Sequence, residues 1–330
     1  MIRVITPSRL HFGLLGFPAE APPRPPRELA DIYLPNERWF GGAGLMVEAP
    51  GVRVAVEPAN AWSAEGALSE RALECAHIFA RTLPSEAVRP HRVVVEQCPA
   101  EHVGLGTGTQ LALAVAKSLA TSSGASRVGA IELARRTGRG RRSALGIHGF
   151  AQGGFLVEAG HCGQQTAAPL VARAAFPEAW RLVLVLPPWG KGLHGQRELE
   201  AFAQLGSRLK GTTDARCRLV LLGMLPALIE CDLAGFGEAL YEFNERVGQV
   251  FAPVQGGNYG SPRTEELVRY VRRQGVKGVG QSSWGPAVFA VVADAEQADD
   301  LARRLRQRFA LEADEVLCVR ASNHGATVEV

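Results

Sequence analysis

The sequence predicts an α+β protein built as two domains, and three observations carry that expectation. Its 330 residues exceed what one comfortable core usually organises. Strand-like and helix-like segments are mixed without strict β–α alternation, which favours α+β layers over a doubly wound parallel sheet. A Pro- and Ala-rich stretch at 167–179 separates the halves, giving an N-terminal domain over 1–175 and a C-terminal domain over 176–330.

The elements follow in order. Residues 2–5 and 52–57 read as strands, and 92–97 (RVVVEQ) is a β-branched strand. Between the first two lies the proline-rich run Pro18 to Glu28, an exposed loop because proline blocks both helix and ladder. Helices are expected at 68–83, 110–120 and 129–136. The second (QLALAVAKSLA) is apolar nearly all round, as a helix buried on most sides must be. A strand at 153–158 and another at 181–187 flank the domain boundary. The second half holds helices near 197–209, 217–230, 234–247, 263–274 and 295–309, with strands at 286–292 and 315–320.

Composition narrows the function classes. A hydrophobic fraction of 46% with 21% charged residues is that of a globular chain. The longest apolar run, Leu219 to Ile229, is broken by Gly223 and Pro226 and falls short of a membrane span. The start, MIRVITPSRLHFG, has no signal-peptide h-region. Six cysteines without a CxxC pair suit reduced thiols, so the expected address is cytoplasmic. A formal charge of +3 is too small to imply nucleic acid. The expected partners are small molecules, with neither nucleic acid nor membrane among them, and association as a homodimer is left open.

The sharpest local signal is Pro99 to Gln110 (PAEHVGLGTGTQ), between a strand and the buried helix. Gly104, Gly106 and Gly108 allow the backbone to turn its N–H groups toward one point. The helix starting near Thr109 adds its positive dipole end. In physical terms this is a phosphate cradle; the plain alternative is a tight turn that binds nothing. There is no GxxxxGK[ST], which excludes a P-loop, and Thr109 replaces the third glycine of a dinucleotide fingerprint.

This segment resembles the central phosphate motif of the GHMP kinase superfamily, with Thr107 and Thr109 near the place of its serines. Pro7 to Gly13 resembles the first motif, and Gly278 to Pro286 (GVGQSSWGP) the third, a loop that closes over the site. Three motifs in the right order are specific where one would not be. The resemblance implies a GHMP-kinase-like fold, with a ribosomal-protein-like N-terminal domain and a ferredoxin-like C-terminal domain. It also implies that the loops at 104–109 and 281–285 face each other. One departure is chemical. Where the kinases carry PSG-x-D ahead of a GG pair, this chain has Arg142 to His148 (RSALGIH) and then Gly153-Gly154. Gly146 stands where the aspartate base should be, and a hydroxyl nucleophile without a positioned base loses about 10² to 10⁴ in rate.

Further segments resemble one family on this scaffold, the β-ribofuranosylaminobenzene 5′-phosphate synthases: Arg9 to Leu15, Phe40 to Leu45, Gln255 to Tyr259 and Gln281 to Pro286. The resemblance implies a transferase joining 5-phosphoribosyl 1-diphosphate to 4-aminobenzoate or 4-hydroxybenzoate, releasing CO₂ and diphosphate, in tetrahydromethanopterin biosynthesis. Mg²⁺ is the implied cofactor. Gly16 stands where an acidic residue is expected, which weakens a metal role for that segment. The alternatives are a small-molecule kinase with His148 as a relocated base, and an inert binding protein on the same fold.

Residue assignments follow from that chemistry. Arg9, His11 and His148 are the candidate catalytic residues. Substrate binding is expected from Gly104, Gly106, Thr107, Gly108 and Thr109, and from Gln281, Ser282 and Ser283. Trp284 is expected to stack on the arene, although core packing explains a tryptophan equally well. Arg135, Arg136, Arg139, Arg141 and Arg142 crowd one turn. Guanidinium forks there suit a donor with several phosphate charges, and Arg141 and Arg142 are assigned to it. A solvated basic turn is the competing explanation. His194 and His324 lie in motif-like surroundings, but a lone histidine is more often a structural hydrogen-bonder. Metal ligands are not readable; Glu101, Thr107 and Glu48 are the residues within consideration.

Overall fold

The computed structural model describes residues 1–16, 38–84, 88–162, 167–189 and 213–330. The Pro18 to Glu28 loop, His194 and the expected helix at 197–209 lie outside them.

The first sheet has seven strands. A central path runs β11 (Thr327–Glu329), β1 (Ile2–Leu14), β2 (Gly42–Pro58), β4 (His91–Gln97) and β3 (Ser63–Gly66). β5 (Phe155–Glu158) pairs with the first part of β2, and β6 (Leu170–Ala174) pairs with β5. Both β1 and β2 extend well beyond the expected 2–5 and 52–57. The glycines, Pro7 and Pro50 that conceal a strand in the sequence fall at or near irregularities of the pairing, between Thr6 and Ser8 and between His11 and Gly13. The motif at 7–13 is therefore strand, which fixes the direction in which Arg9 and His11 project.

Four helices cover this sheet: α1 (Ser69–Ala80), α2 (Thr107–Ser122), α3 (Ala130–Arg136) and α4 (Leu145–Gln152). α2 is the central one, and Leu111 to Ala116 are completely buried along it. Each buried leucine or valine contributes about 1.5–3 kcal/mol over its exposed state, so this helix anchors the domain. α4 was not legible in the sequence, because its eight residues (LGIHGFAQ) hold two glycines and no polar face.

The second sheet has the order β10 (Val316–Val319), β7 (Arg181–Val185), β9 (Val288–Val292), β8 (Gly278–Gln281), all antiparallel. Helices lie between β7 and β8, a short turn joins β8 to β9, and a helix leads from β9 to β10. That is the split β-α-β-β-α-β pattern of the ferredoxin-like fold, as expected. Its helices are α5 (Thr213–Arg218), which passes through a π segment at Leu219–Met224 into α6 (Leu225–Ile229), then α7 (Leu233–Gln255), α8 (Pro262–Arg273) and α9 (Ala295–Phe309). The expected helix at 217–230 is thus interrupted, as π turns commonly do.

The expected boundary needs one correction. The chain after β10 crosses back, and β11 pairs antiparallel with β1 through Arg3↔Glu329, Val4↔Val328 and Ile5↔Thr327. The unpaired edge of β1 explains this, because an open row of N–H and C=O groups there would otherwise face solvent. The second domain therefore gives its last residues to the first. One core also spans both halves: Phe12 of β1 stacks on Phe289 of β9 at 4.8 Å, and Phe155 of β5 meets Phe236 of α7.

Candidate active site

The three glycine-bearing motifs meet where the two sheets face each other. The Arg9 amide donates to the Leu105 carbonyl at 2.9 Å, which joins the first motif to the second. The Ser283 amide donates to the His11 carbonyl, and the Ala287 amide to the Val103 carbonyl. Ser282 completes the set. It is fully buried, its hydroxyl donates to the Gly104 carbonyl at 2.6 Å and accepts from the His11 amide at 3.0 Å. The loops approach so closely that a Cβ at Gly285 would stand 2.3 Å from the Gly104 nitrogen. The expected opposition of the two loops is what the structure contains.

Gly106 sets the cradle. It precedes α2 with φ 71° and ψ 18°, a left-handed conformation that glycine adopts without steric cost. No side chain caps α2 by a hydrogen bond and its own first turn carries no acid, so its leading amides are not capped from within the helix. Arg9 borders it on one side, with Nε 3.2 Å from the position a Gly106 Cβ would take. On the other side the Arg139 guanidinium and the Glu101 carboxylate lie within 3.3–3.5 Å of the corresponding point at Gly108. Thr107 donates its hydroxyl to the Ala100 carbonyl, and the Thr109 methyl faces Gly146.

The other expected residues divide. Arg141 is exposed and Arg142 half-buried in the turn before α4, while Arg135 and Arg136 pair with Glu132. Arg139, between two glycines of positive φ, brings its guanidinium 3.5 Å from the Cβ position of Gly108, while Arg141 is exposed. Gln281 accepts from the Gly260 amide, linking the closing loop to the segment Gln255 to Tyr259. Trp284 is partly buried, with its ring 4.1 Å from that of Phe251, so at least one of its contacts is core packing. His148 is buried on α4 with Nε2 2.8 Å from the Ala168 carbonyl. His324 is exposed on the approach to β11. Glu48 lines a separate groove with Arg181, Cys318 and Arg320, which removes it as a ligand at the cradle.

Two residues of the site escape a reading of the sequence. Asn244 of α7 donates to the Phe12 and Gln281 carbonyls and accepts from the Gln281 amide, tying β1 to the closing loop. Its signal was a lone amide on the apolar stripe of a helix. Glu158, at the end of β5, is the only buried carboxylate among the described residues. Its Oε2 accepts from the Ala144 amide at 2.6 Å, so a strand residue caps α4 at the end that bears Gly146.

Electrostatics mark His11 and Glu158. Burial, then the charge of Arg9, hold the His11 imidazole well below its usual range, so it is neutral near pH 7. Burial pushes the Glu158 carboxyl up to about 7, against the opposing pull of Ser143, the α4 amides and Arg9. A raised acid binds its proton more tightly folded than unfolded. The resulting stabilisation is present below about pH 4.5 and is lost as pH rises through about 7. We expect about 3 kcal/mol of such dependence, read as a fall in Tm between those pH values. Glu158→Gln should flatten it; an unchanged slope would place the titration elsewhere.

A cradle at a helix start, an opposed glycine loop and a ferredoxin-like second domain define the GHMP kinase scaffold. The family model for the GHMP kinase C-terminal domain matches residues 224–311. Solved structures agree in fold. Homoserine kinase from Cytophaga hutchinsonii superposes with a TM-score of 0.64 at 14% identity, covering 99% of this chain and 97% of that one. Mevalonate diphosphate decarboxylase from Staphylococcus aureus gives 0.63 at 11%, covering 100% and 99%.

Among curated proteins, the β-ribofuranosylphenol 5′-phosphate synthase of Archaeoglobus fulgidus is 31% identical with both chains covered in full. That of Methanothermobacter thermautotrophicus is 30% identical with 87% of each covered. The chain belongs to the β-ribofuranosylphenol 5′-phosphate synthase family.

Proposed function

We propose that this chain is a decarboxylating phosphoribosyl transferase, joining 5-phosphoribosyl 1-diphosphate to 4-hydroxybenzoate or 4-aminobenzoate with release of CO₂ and diphosphate, within tetrahydromethanopterin biosynthesis. Full-length similarity to the Archaeoglobus synthase is the observation that carries it. The phenol in the relatives' name favours the hydroxyl-bearing acceptor. The site agrees with that chemistry, because carbon attack on a ribose needs no aspartate at 146, where the kinases keep theirs.

The α2 N-terminus, Arg9 and Arg139 hold the donor's phosphate charges from three sides. Held there, the ribose C1 faces the acceptor's carboxyl-bearing carbon, and orientation replaces a bimolecular encounter. Neutral His11 donates or accepts a hydrogen bond without adding charge. The fitted closing loop, from Gln281 to Ala287, excludes water from an oxocarbenium-like carbon that water would capture. Mg²⁺ suits the cradle through Glu101, whose carboxylate points at Gly108, with the donor's own phosphates as further ligands. Bound there it would neutralise the departing diphosphate.

The test is release of labelled CO₂ from carboxyl-labelled 4-hydroxybenzoate or 4-aminobenzoate. We expect release only with both phosphoribosyl diphosphate and Mg²⁺ present. Consumption of ATP with a small alcohol, without CO₂ from either benzoate, would replace the transferase with a kinase.

A further inference from the structure

Asn244 is a buried polar residue in an apolar stripe. Its neighbours along α7, Leu240, Phe243 and Val247, are buried hydrocarbon, and a hydrocarbon side chain at 244 would need no hydrogen bonds at all. The amide instead commits itself entirely to backbone. Nδ2 donates to the Phe12 carbonyl at 2.7 Å and to the Gln281 carbonyl at 2.9 Å, and Oδ1 accepts from the Gln281 amide at 3.0 Å.

The backbone on both sides is shaped to receive it. The pairing of β1 with β2 steps from His11 to Gly13 and passes over Phe12. Gln281 ends β8, the edge strand of the second sheet, whose other side pairs with β9. Asn244 meets both the N–H and the C=O of Gln281, as a residue of a further strand would. Gly280 leaves the room for this, since a Cβ there would lie 2.6 Å from Asn244 Cγ and Oδ1.

The closing loop hangs directly from Gln281. Ser282 and Ser283 come next, bonded to the Gly104 carbonyl and to the His11 backbone. Ser283 has φ 56°, which a serine adopts only where its surroundings hold it there. The Gln281 side chain adds a brace, accepting from the Gly260 amide at 2.8 Å and donating to the Ser283 carbonyl at 3.3 Å. Through one amide, α7 thus fixes both the strand that bears Arg9 and His11 and the loop that faces the cradle.

We propose that Asn244 is a positioning residue for the transfer, and that by seating the closing loop it decides whether the ribose carbon meets the acceptor or water. This rests on the transferase reading. In transfer, the carboxyl-bearing ring carbon bonds to ribose C1 and the bond from C1 to diphosphate breaks with its pair on diphosphate. The bond to the carboxylate then breaks, its pair restores the aromatic ring, and CO₂ leaves. In the competing path a water oxygen bonds to C1 as the same bond to diphosphate breaks, and a water proton passes to solvent. That path yields ribose 5-phosphate and no CO₂. A loosened loop admits water, and the second path gains.

The experiment measures ribose 5-phosphate and CO₂ in one reaction of the full chain with phosphoribosyl diphosphate, 4-hydroxybenzoate and Mg²⁺. Asn244→Ala should lower CO₂ release by about 10². It should also raise the ratio of ribose 5-phosphate to CO₂ by about tenfold or more, which a merely structural role would not do. Gly280→Ala keeps the amide but forces it from its seat, so it should raise the same ratio, and it carries the test should Asn244→Ala not fold. Phe236→Leu is the control. That ring is fully buried two turns earlier on the same helix and packs on Phe155, Phe176 and Trp180, so its loss disturbs the core while the ratio stays at the wild-type value. An unchanged ratio in a folded Asn244 or Gly280 variant, or an equal rise in Phe236→Leu, overturns the proposal and leaves a transferase that releases CO₂. A wild type that releases no CO₂ from either benzoate overturns the transferase reading, and this proposal with it.

Discussion

Gly106→Val should abolish binding of phosphoribosyl diphosphate, with kcat/KM down by about 10³ or more, while circular dichroism stays close to wild type. Two effects combine. Position 106 sits at φ +71°, where a β-branched residue is strained by about 1–2 kcal/mol or more. Its Cβ would also stand 3.2–3.3 Å from the Arg9 side chain, so valine's branches push Arg9 off the cradle and fill the space before the α2 amides. The second effect dominates, because one displaced guanidinium and one obstructed helix end remove the charge-assisted contacts proposed for the donor. Gly124→Val separates the two. That glycine also has positive φ, +80°, but no atom lies within 4 Å of its Cβ position, so it carries strain without obstruction. Titration calorimetry should find donor binding intact in Gly124→Val and absent in Gly106→Val. Equal affinity in both would remove the loop from the site.

The glycine loop at 104–108 was legible because glycine leaves a visible mark wherever backbone must turn or approach closely. Gly104, Gly106 and Gly285 are constrained in the structure as their spacing suggested. The ferredoxin-like half was legible for a different reason: its helices, such as Ala295–Phe309 between an Asp294 cap and a basic last turn, announce both ends. What stayed hidden is tertiary. Glu158 closes an ordinary strand, GGFLVE, and nothing local says that it caps a helix thirteen or so residues upstream. Arg139 differs from its neighbouring arginines only in the direction the turn gives it. β11 reads as a frayed tail until the open edge of β1 is in view. Each is a property of which surfaces meet, and periodicity along the chain carries no record of that.

Gly146→Asp, which restores the kinase aspartate, should yield no kinase and a weaker transferase. Gly146 is buried on α4, and a Cβ there would lie 3.3 Å from both the Gln110 amide nitrogen and the Thr109 methyl. Gln110 is already committed. Its nitrogen donates to the Gly146 carbonyl at 2.8 Å, and its oxygen accepts from the Thr6 hydroxyl at 2.6 Å. A carboxylate forced into this arrangement must displace a satisfied buried network or remain unpaired in it, at a cost of about 2–4 kcal/mol. It would also stand near Glu158, at the same helix end, where a second negative charge raises both acids further. We therefore expect a Tm lower by several degrees, CO₂ release reduced about 10² or more, and no ATP-dependent phosphorylation of small alcohols. Gly146→Ala is the companion measurement, because it adds the same Cβ without charge; if it retains most activity, the loss in the aspartate variant is electrostatic. An aspartate variant that gains phosphoryl transfer would mean that this chain is a kinase lacking only its base, and the argument built on position 146 would fail.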